Sequence, residues 1–160
     1  MSAVRVGLGV DVHPFADDDA GRECVLGGVR FDGAGLAGHS DADVVAHAVC
    51  DAVAGAAGLG DLGSHFPDTD PQWKGADSLA MLREIVRRAA DTGWRVLNAD
   101  CTVIAERPRI SPQRDAMIRA LSEAAGAPVH VKATRPEGLG SLGRVEGIAC
   151  LAVALLEGAE

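Results

Sequence analysis

The spacing of hydrophobic and polar residues changes along the chain, and each spacing predicts a different element. Residues 4–12 are rich in valine and alternate with glycine, a pattern typical of a β-strand. Residues 24–31 predict a short hairpin, and residues 94–105 and 129–134 predict two further strands. The last apolar run, residues 147–156, is compatible with a strand or a helix, because its periodicity fits both.

Three segments of helical periodicity lie between the predicted strands. Ser40 and Asp43 have the spacing of a capping box, so we expect Ser40 to cap the first helix. The second helix is predicted over residues 77–91. The third is expected to have Ser111 as its cap and to stop at Gly126, because a proline follows the serine and glycine commonly ends helices.

Length and composition narrow the classes of function. With 160 residues the chain can bury a core of its own, and residues 1–160 are expected to form a single domain. Aromatic residues make up only 3% and the net charge is −8, so base stacking is scarce and a phosphate backbone would be repelled. Nucleic acid is therefore not expected as a partner. A phosphorylated small molecule would have to be held locally, by metal ions, backbone N–H groups or particular basic side chains.

The cysteines and the hydropathy of the chain bear on its compartment. The four cysteines are widely separated and form no C-x-x-C pair: Cys24, Cys50, Cys101 and Cys150. Their apolar neighbours predict buried free thiols in a reducing environment. No stretch reaches about 18 apolar residues, so neither a membrane span nor a membrane partner is expected. The sequence predicts a cytoplasmic protein.

Candidate metal ligands occur in two of the predicted elements. Asp11 and His13 point to the same side of the first strand, because side chains alternate along an extended chain. His47 lies on the first predicted helix. One carboxylate and two imidazoles leave open positions on Zn²⁺ and would equally suit Fe(II), so the ligands alone do not choose the metal. The helix N-terminus next to His39 and Ser40 is expected to suit a phosphate, because its first N–H groups lack helical acceptors.

A long loop over residues 58–71 is rich in glycine, proline and aspartate. It is either a simple connector or a carrier of function, as long polar loops often are. The carboxylates of Asp61, Asp68 and Asp70 would suit a polyhydroxylated substrate as hydrogen-bond acceptors.

Six linked motifs resemble those of the 2-C-methyl-D-erythritol 2,4-cyclodiphosphate synthase family, in the family's order and with similar spacings over essentially the whole chain. They are Asp11-Val-His13, His39-Ser-Asp-x-Asp43-Val-x-x-His47, Leu-Gly-Asp61-x-Gly63, Phe66-Pro-Asp68-Thr-Asp70, Lys74-Gly-Ala-Asp-Ser78 and Gly143-Arg144-x-Glu146-Gly. The resemblance implies an α+β fold, with a mixed β-sheet and helices packed on one face. It also implies a homotrimer with active sites between subunits.

The same resemblance implies a reaction, that of a phosphorus–oxygen lyase of non-mevalonate isoprenoid precursor biosynthesis. The substrate would be 4-diphosphocytidyl-2-C-methyl-D-erythritol 2-phosphate, and the products the 2,4-cyclodiphosphate and CMP. A phosphate monoester is largely dianionic near neutral pH, so the 2-phosphate can attack the β-phosphorus without a general base. The protein must then supply charge neutralisation and a folded-back substrate geometry.

Site residues follow from the resemblance position by position. Asp11, His13 and His47 match the zinc ligands, one ion per subunit, and Glu137 matches a ligand of a second cation, Mg²⁺ or Mn²⁺. His39 is expected to be catalytic. The predicted substrate contacts are Asp11, His13, His39, Ser40, Asp61, Leu62, Gly63, Phe66, Pro67, Asp68, Thr69, Asp70, Ala105, Pro108, Arg109, Ile110, Ser111, Thr134, Arg135, Glu137, Ser141 and Arg144.

Three positions depart from the family pattern. Leu8 replaces a histidine outside the ligand set, and Ser141 stands where a larger apolar residue is common. Arg135 replaces a threonine credited with contacting the transition state, and we predict that Arg135 is catalytic in its place. A guanidinium can stabilise phosphoryl charge, although its geometry differs from that of a hydroxyl.

Two other functions are compatible with these residues. A metal-dependent phosphoesterase would use the same zinc to activate water, and its product would be linear instead of cyclic. A ligand-binding module with a structural zinc would need a closed site of four protein ligands, whereas the sequence offers three.

Overall fold

A four-stranded sheet with three long helices on one of its faces forms the body of the computed structural model, which describes residues 3–158. The sheet strands are β1 (Val4–Pro14), β4 (Trp94–Ile104), β5 (Val129–Thr134) and β6 (Gly147–Gly158), and β2 (Cys24–Leu26) and β3 (Val29–Phe31) form the predicted hairpin. The helices are α1 (Val44–Ala57), α2 (Leu62–His65), α3 (Ser78–Asp91), α4 (Arg114–Ala125) and α5 (Gly140–Gly143).

The sheet is mixed, in the order β1-β6-β4-β5. Strand β6 pairs antiparallel with both β1 and β4, whereas β4 and β5 are parallel. The α+β fold expected for the chain is thereby confirmed. The last apolar run is a strand, because it lies in the centre of the sheet, where its backbone is paired on both sides.

The first long helix begins later than the capping box predicted. Asp43 is its N-cap, with Oδ1 accepting hydrogen bonds from the N–H groups of Val45 at 3.1 Å and Ala46 at 3.0 Å. The same buried carboxylate accepts the N–H groups of Gly27 and Gly28 in the hairpin turn, at 2.8 and 2.7 Å. The prediction that Ser40 caps this helix is wrong, because Asp43 satisfies the helix start and ties it to a distant hairpin.

Helix α4 also begins later than predicted. It starts at Arg114, after Gln113, with no capping side chain, so Ser111 is not its cap. The N–H of Gln113 is instead bonded to the carbonyl of Ile110 at 3.1 Å, in a separate turn. Ser111 belongs to that turn, and its side chain is left exposed.

The two faces of β1 differ in character. Gly7, Gly9, Asp11 and His13 face the helices, and the alternating apolar side chains face away and are 54–67% exposed: Val4, Val6, Leu8, Val10 and Val12. Leu151 and Val153 of β6 extend this surface. An apolar sheet face is therefore open to solvent on the isolated chain, and exposed apolar patches of this kind mark interaction surfaces.

Cysteine burial agrees with the sequence expectation. All four cysteines are buried and free. In residues 3–158, none of the helices combines the length and the apolar character that a bilayer crossing requires.

Candidate active site

A close approach of β1 to α1 brings the predicted metal ligands together. A Cβ added at Gly9 would lie only 1.9 Å from the Ala48 carbonyl oxygen, so any side chain there would push the helix away from the strand. Asp11 and His13 lie on the same face of the strand, two and four residues after Gly9. Because the backbones touch, these short side chains reach His47 on α1.

The three side chains form a triangle of the size that a metal ion requires. Asp11 Oδ2 lies 2.9 Å from His13 Nε2 and 3.2 Å from His47 Nδ1, and the two imidazole nitrogens are 3.4 Å apart. In a tetrahedral zinc site, bonds of about 2.0–2.1 Å place neighbouring ligand atoms about 3.3 Å apart. Asp11, His13 and His47 are therefore able to hold a metal ion, as the sequence predicted.

The outer nitrogens of both imidazoles have partners that orient the rings. His13 Nδ1 donates to the carbonyl of Ala37 at 2.7 Å, which leaves Nε2 to face the triangle. His47 Nε2 lies 2.8 Å from Ser78 Oγ and 3.1 Å from Ser40 Oγ. Hydrogen bonds at the far nitrogen select the tautomer that a metal ligand needs.

Electrostatics within the triangle favour a bound cation. Burial raises the pKa of the Asp11 carboxyl, but hydrogen bonds from His13 and His47 outweigh burial and hold this pKa well below its usual value. Burial lowers the pKa of His13, but the hydrogen bond and charge of Asp11 and the hydrogen bond with Ala37 together outweigh burial, so the net pKa is raised. A carboxylate held beside two imidazole nitrogens favours a divalent cation, which would bind in place of the protons on these atoms.

The predicted phosphate site at the start of α1 needs a correction. The helix begins at Val44, and Asp43 already occupies the N–H groups of Val45 and Ala46. The positive, N-terminal end of this helix therefore already faces the Asp43 carboxylate and does not support a phosphate as well. His39 and Ser40 nevertheless lie beside the triangle, since Ser40 Oγ lies within hydrogen-bond distance of a ring nitrogen of His47.

The loop between α1 and α3 lies next to His39. The ring nitrogen Nε2 of His39 is 3.0 Å from the carbonyl oxygen of Asp70. Asp61 caps α2 by accepting from Ser64, and Asp70 caps the turn at Pro71–Trp73. Two of the three loop carboxylates expected to accept substrate hydroxyls are thus already used by the loop's own backbone. The other predicted contacts of this loop are Leu62, Gly63, Phe66, Pro67, Asp68 and Thr69.

A cleft of about 1310 Å³ brings together two segments that are distant in sequence. The predicted site residues that line it are Ala105, Pro108, Arg109, Ile110, Ser111, Thr134, Arg135 and Glu137. Glu106 lies within the segment from Ala105 to Ser111 that the resemblance assigned to this pocket, whereas Phe15, Asp18 and Asp32 are lining residues that sequence reasoning did not select. Parallel pairing of β4 with β5 explains the cleft, because both segments leave the same edge of the sheet. Ser141, on α5, and Arg144, which pairs with Glu146 at 2.6 Å, are not among its lining residues.

The cleft and the metal triangle share no lining residue. Within residues 3–158, the cleft lining includes neither the triangle nor His39, Ser40 and the loop that follows α1, although it includes Phe15, two residues beyond His13. The predicted site residues of one chain therefore fall into two groups, of which one lines the cleft.

Arg135 is engaged by a partner that the sequence did not reveal. Its Nε and Nη2 donate to Glu106 Oε2 at 3.0 and 2.8 Å, and the N–H of Gly138 donates to Glu106 Oε1 at 2.8 Å. The Gly138 bond and then Arg135 lower the pKa of Glu106. Glu137 lies between Arg135 and Gly138, the two residues that Glu106 binds, and its φ of 55° is left-handed. Glu106 therefore fixes the turn that presents Glu137.

Comparison with known proteins finds relatives over almost the whole chain. The bifunctional enzyme IspD/IspF of Anaeromyxobacter dehalogenans is 59% identical over 156 residues, 96% of this chain and 40% of that protein. The 2-C-methyl-D-erythritol 2,4-cyclodiphosphate synthase of Rubrobacter xylanophilus is 56% identical over 161 residues, 98% of this chain and 97% of that protein. The chain thus spans less than half of the bifunctional relative.

A solved structure extends the likeness to the fold. IspF of Plasmodium falciparum, in complex with CDP, superposes with a TM-score of 0.85 and 29% identity, covering 100% of this chain and 99% of that chain. The YgbB family model matches residues 4–157. From this match and the full-length relative at 56% identity, the chain belongs to the YgbB family.

Proposed function

We propose that this chain is a 2-C-methyl-D-erythritol 2,4-cyclodiphosphate synthase, a phosphorus–oxygen lyase of non-mevalonate isoprenoid precursor biosynthesis, with residues 1–160 acting as one domain. The observation that carries the proposal is the Asp11, His13 and His47 triangle in a chain 56% identical to a synthase of that name. The substrate would be 4-diphosphocytidyl-2-C-methyl-D-erythritol 2-phosphate. The buried free cysteines suit a reducing compartment, and we place the enzyme in the cytoplasm.

The residues present fit two divalent cations. Asp11, His13 and His47 would hold Zn²⁺, one ion per subunit, since three protein ligands leave a position open for substrate. Glu137 would hold Mg²⁺ or Mn²⁺, because its carboxylate lines the cleft and such cations prefer oxygen ligands. Bound cations would supply neutralisation of the charge on the substrate's phosphates.

The reaction exchanges one phosphorus–oxygen bond for another. An oxygen of the 2-phosphate bonds to the β-phosphorus, the bond from that phosphorus to the bridging oxygen breaks, and the electron pair leaves with CMP. The dianionic monoester needs no general base, so the chain's residues act by binding and orientation. His39 and Ser40 would contact the 2-phosphate, and the loop after α1 would hold the methylerythritol unit.

The cleft is suited to the nucleotide. Arg109 and Ser111 offer a cation and a hydroxyl, and the segment from Ala105 offers backbone groups to a base and its diphosphate. Thr134 at the end of β5 would contact the diphosphate next to Glu137. Support for this assignment comes from the CDP complex of the Plasmodium relative.

We further propose a homotrimer with each site built by two subunits. The triangle does not line the cleft of its own chain, and we place the cleft of one subunit beside the triangle of another. The exposed apolar face along β1 supplies a surface for that contact.

Phosphorus NMR of the products in ¹⁸O-labelled water tests the reaction. Cyclisation takes no solvent oxygen, so both the cyclic diphosphate and CMP should be free of label. A linear product, or CMP carrying label, would show hydrolysis and would replace this proposal with a metal-dependent phosphoesterase.

A further inference from the structure

One motif of the sequence, Lys74-Gly-Ala-Asp-Ser78, has no part in the proposed reaction. Its last residue, Ser78, is the first residue of α3 and is fully buried, although its side chain is polar. Buried hydroxyls are kept where they have hydrogen-bond partners. Ser78 has two such partners, Asp41 and His47.

A chain of three hydrogen-bonded groups leads from α3 to the metal triangle. Asp41 Oδ2 accepts the N–H of Ser78 at 3.0 Å, and the Ser78 hydroxyl is bonded to Asp41 Oδ1. Ser78 Oγ is in turn 2.8 Å from Nε2 of His47. On the opposite side of that ring, Nδ1 faces Asp11 at 3.2 Å.

The direction of these bonds follows from donor and acceptor chemistry. An ionised carboxylate only accepts, so the single hydrogen of the Ser78 hydroxyl is given to Asp41. The hydroxyl oxygen can then only accept from His47 Nε2, and the ring proton is placed there. When a cation takes the place of the contact between Nδ1 and Asp11, the neutral ring keeps its proton on Nε2 and offers the lone pair of Nδ1 to the cation.

The loop that carries Asp41 is itself held against the start of α3. The N–H of Asp41 donates to the carbonyl of Ala76 at 3.1 Å, and the N–H of Gly75 donates to the carbonyl of His39 at 2.8 Å. Asp41 therefore meets Ser78 through a fixed backbone. The motif thus has an identifiable contact with the candidate metal centre.

We propose that Ser78 and Asp41 are positioning residues for His47, which fix its tautomer and ring orientation for metal binding. The inference rests on the proposed metal centre and extends it by two residues. Ser40 Oγ, at 3.1 Å from the same ring nitrogen, is a second acceptor, so the loss of Ser78 weakens the orientation without abolishing it.

Zinc affinity of the full-length chain, measured by competition with a chelator, tests this proposal. Ser78→Ala and Asp41→Asn should each lower the affinity by about 10–100-fold, the usual effect of removing the partner of a metal-bound imidazole. Nitrogen NMR of His47 in the zinc-loaded protein should show the proton on Nε2 in the wild type and a mixture of two tautomers in Ser78→Ala.

Asp77→Ala is the matched control, because Asp77 caps the same helix through Leu79 without contacting His47. It should leave the zinc affinity and the tautomer unchanged. Equal losses in Ser78→Ala and Asp77→Ala, or no loss in Ser78→Ala, would overturn the inference. A wild-type chain that takes up no zinc would remove the proposed metal centre as well, which distinguishes the two failures.

Discussion

Arg135 and Glu106, 29 positions apart, form an ion pair with two N–H groups of the guanidinium on one carboxylate oxygen. The other oxygen of Glu106 holds the backbone of Gly138. Arg135 is therefore directed at a carboxylate of its own chain. A direct contact of Arg135 with the transition state would require this pair to open.

Glu106→Ala should impair turnover more than Arg135→Thr. The first change releases both Arg135 and Gly138, and so frees the turn that carries Glu137. The second leaves the Gly138 bond in place, and an ion pair whose guanidinium is 67% exposed contributes little by itself. We expect roughly a tenfold loss of kcat/KM for Glu106→Ala, since small displacements of positioning groups are costly.

Steady-state kinetics of both variants, with Glu123→Ala on the exposed side of α4 as the control, measures this difference. A larger loss for Arg135→Thr than for Glu106→Ala would instead assign Arg135 a direct contact with substrate.

His47→Ala should remove the metal and the activity together. Two ligands remain after the change, and Asp11 loses one of its two imidazole partners. We expect bound zinc to fall from one ion per subunit to near zero while the fold is kept, because the site is at the edge of the core. Elemental analysis and circular dichroism check both points. His130→Ala, on β5, should keep zinc and activity, and full zinc content in His47→Ala would show that the assigned ligands are wrong.

Mixing two inactive variants should restore activity if one site uses two subunits. His47→Ala destroys the metal triangle and leaves the cleft, whereas Arg109→Ala alters the cleft and leaves the triangle. In randomly mixed trimers, about a quarter of the sites would draw both intact parts from different chains. Activity after dissociation and reassembly of the mixture measures this recovery. Absence of recovery together with an active monomer would place the whole site on one chain.

Acid should weaken the attachment of the loop over residues 58–71 to α3. Hydrogen bonds from Arg87 and Arg88 lower the pKa of Glu84 to about 2, and Arg88 also donates to His65 Nδ1 at 2.6 Å. A lowered carboxyl pKa stabilises the fold above the ordinary value of 4.5, and this contribution is lost as the pH falls toward 2.

Glu84→Gln should therefore have a lower free energy of unfolding than the wild type at neutral pH. The difference should be less than about 1 kcal/mol, because the pair is partly exposed, and it should shrink as the pH falls. Urea unfolding at several pH values, with Glu123→Gln as the control, measures it. If the free energies of unfolding of wild type and Glu84→Gln differed by the same amount at every pH, the lowered pKa of Glu84 would not contribute to stability.

The sequence alone determined those features that depend on neighbours along the chain. The period of two places Asp11 and His13 on one face of β1, and the helical period places His47 on a helix that packs against it. Most element boundaries lie within a few residues of their predicted positions. The metal triangle was predictable because two of its members share a strand and the third lies on the helix that follows it.

Only the tertiary structure decided which polar groups are already occupied. Ser40 has the sequence of a helix cap, but Asp43 takes that role because the hairpin glycines supply it with two more donors. Arg135 was predicted to contact substrate, yet it pairs with Glu106. In each case more than one acceptor is available to the same N–H groups, those at the start of α1 or those of the Arg135 guanidinium. Which acceptor binds them depends on distances between segments, and sequence spacing does not encode these distances. The last apolar run became a strand for the same reason, since only the position between β1 and β4 pairs its backbone on both sides.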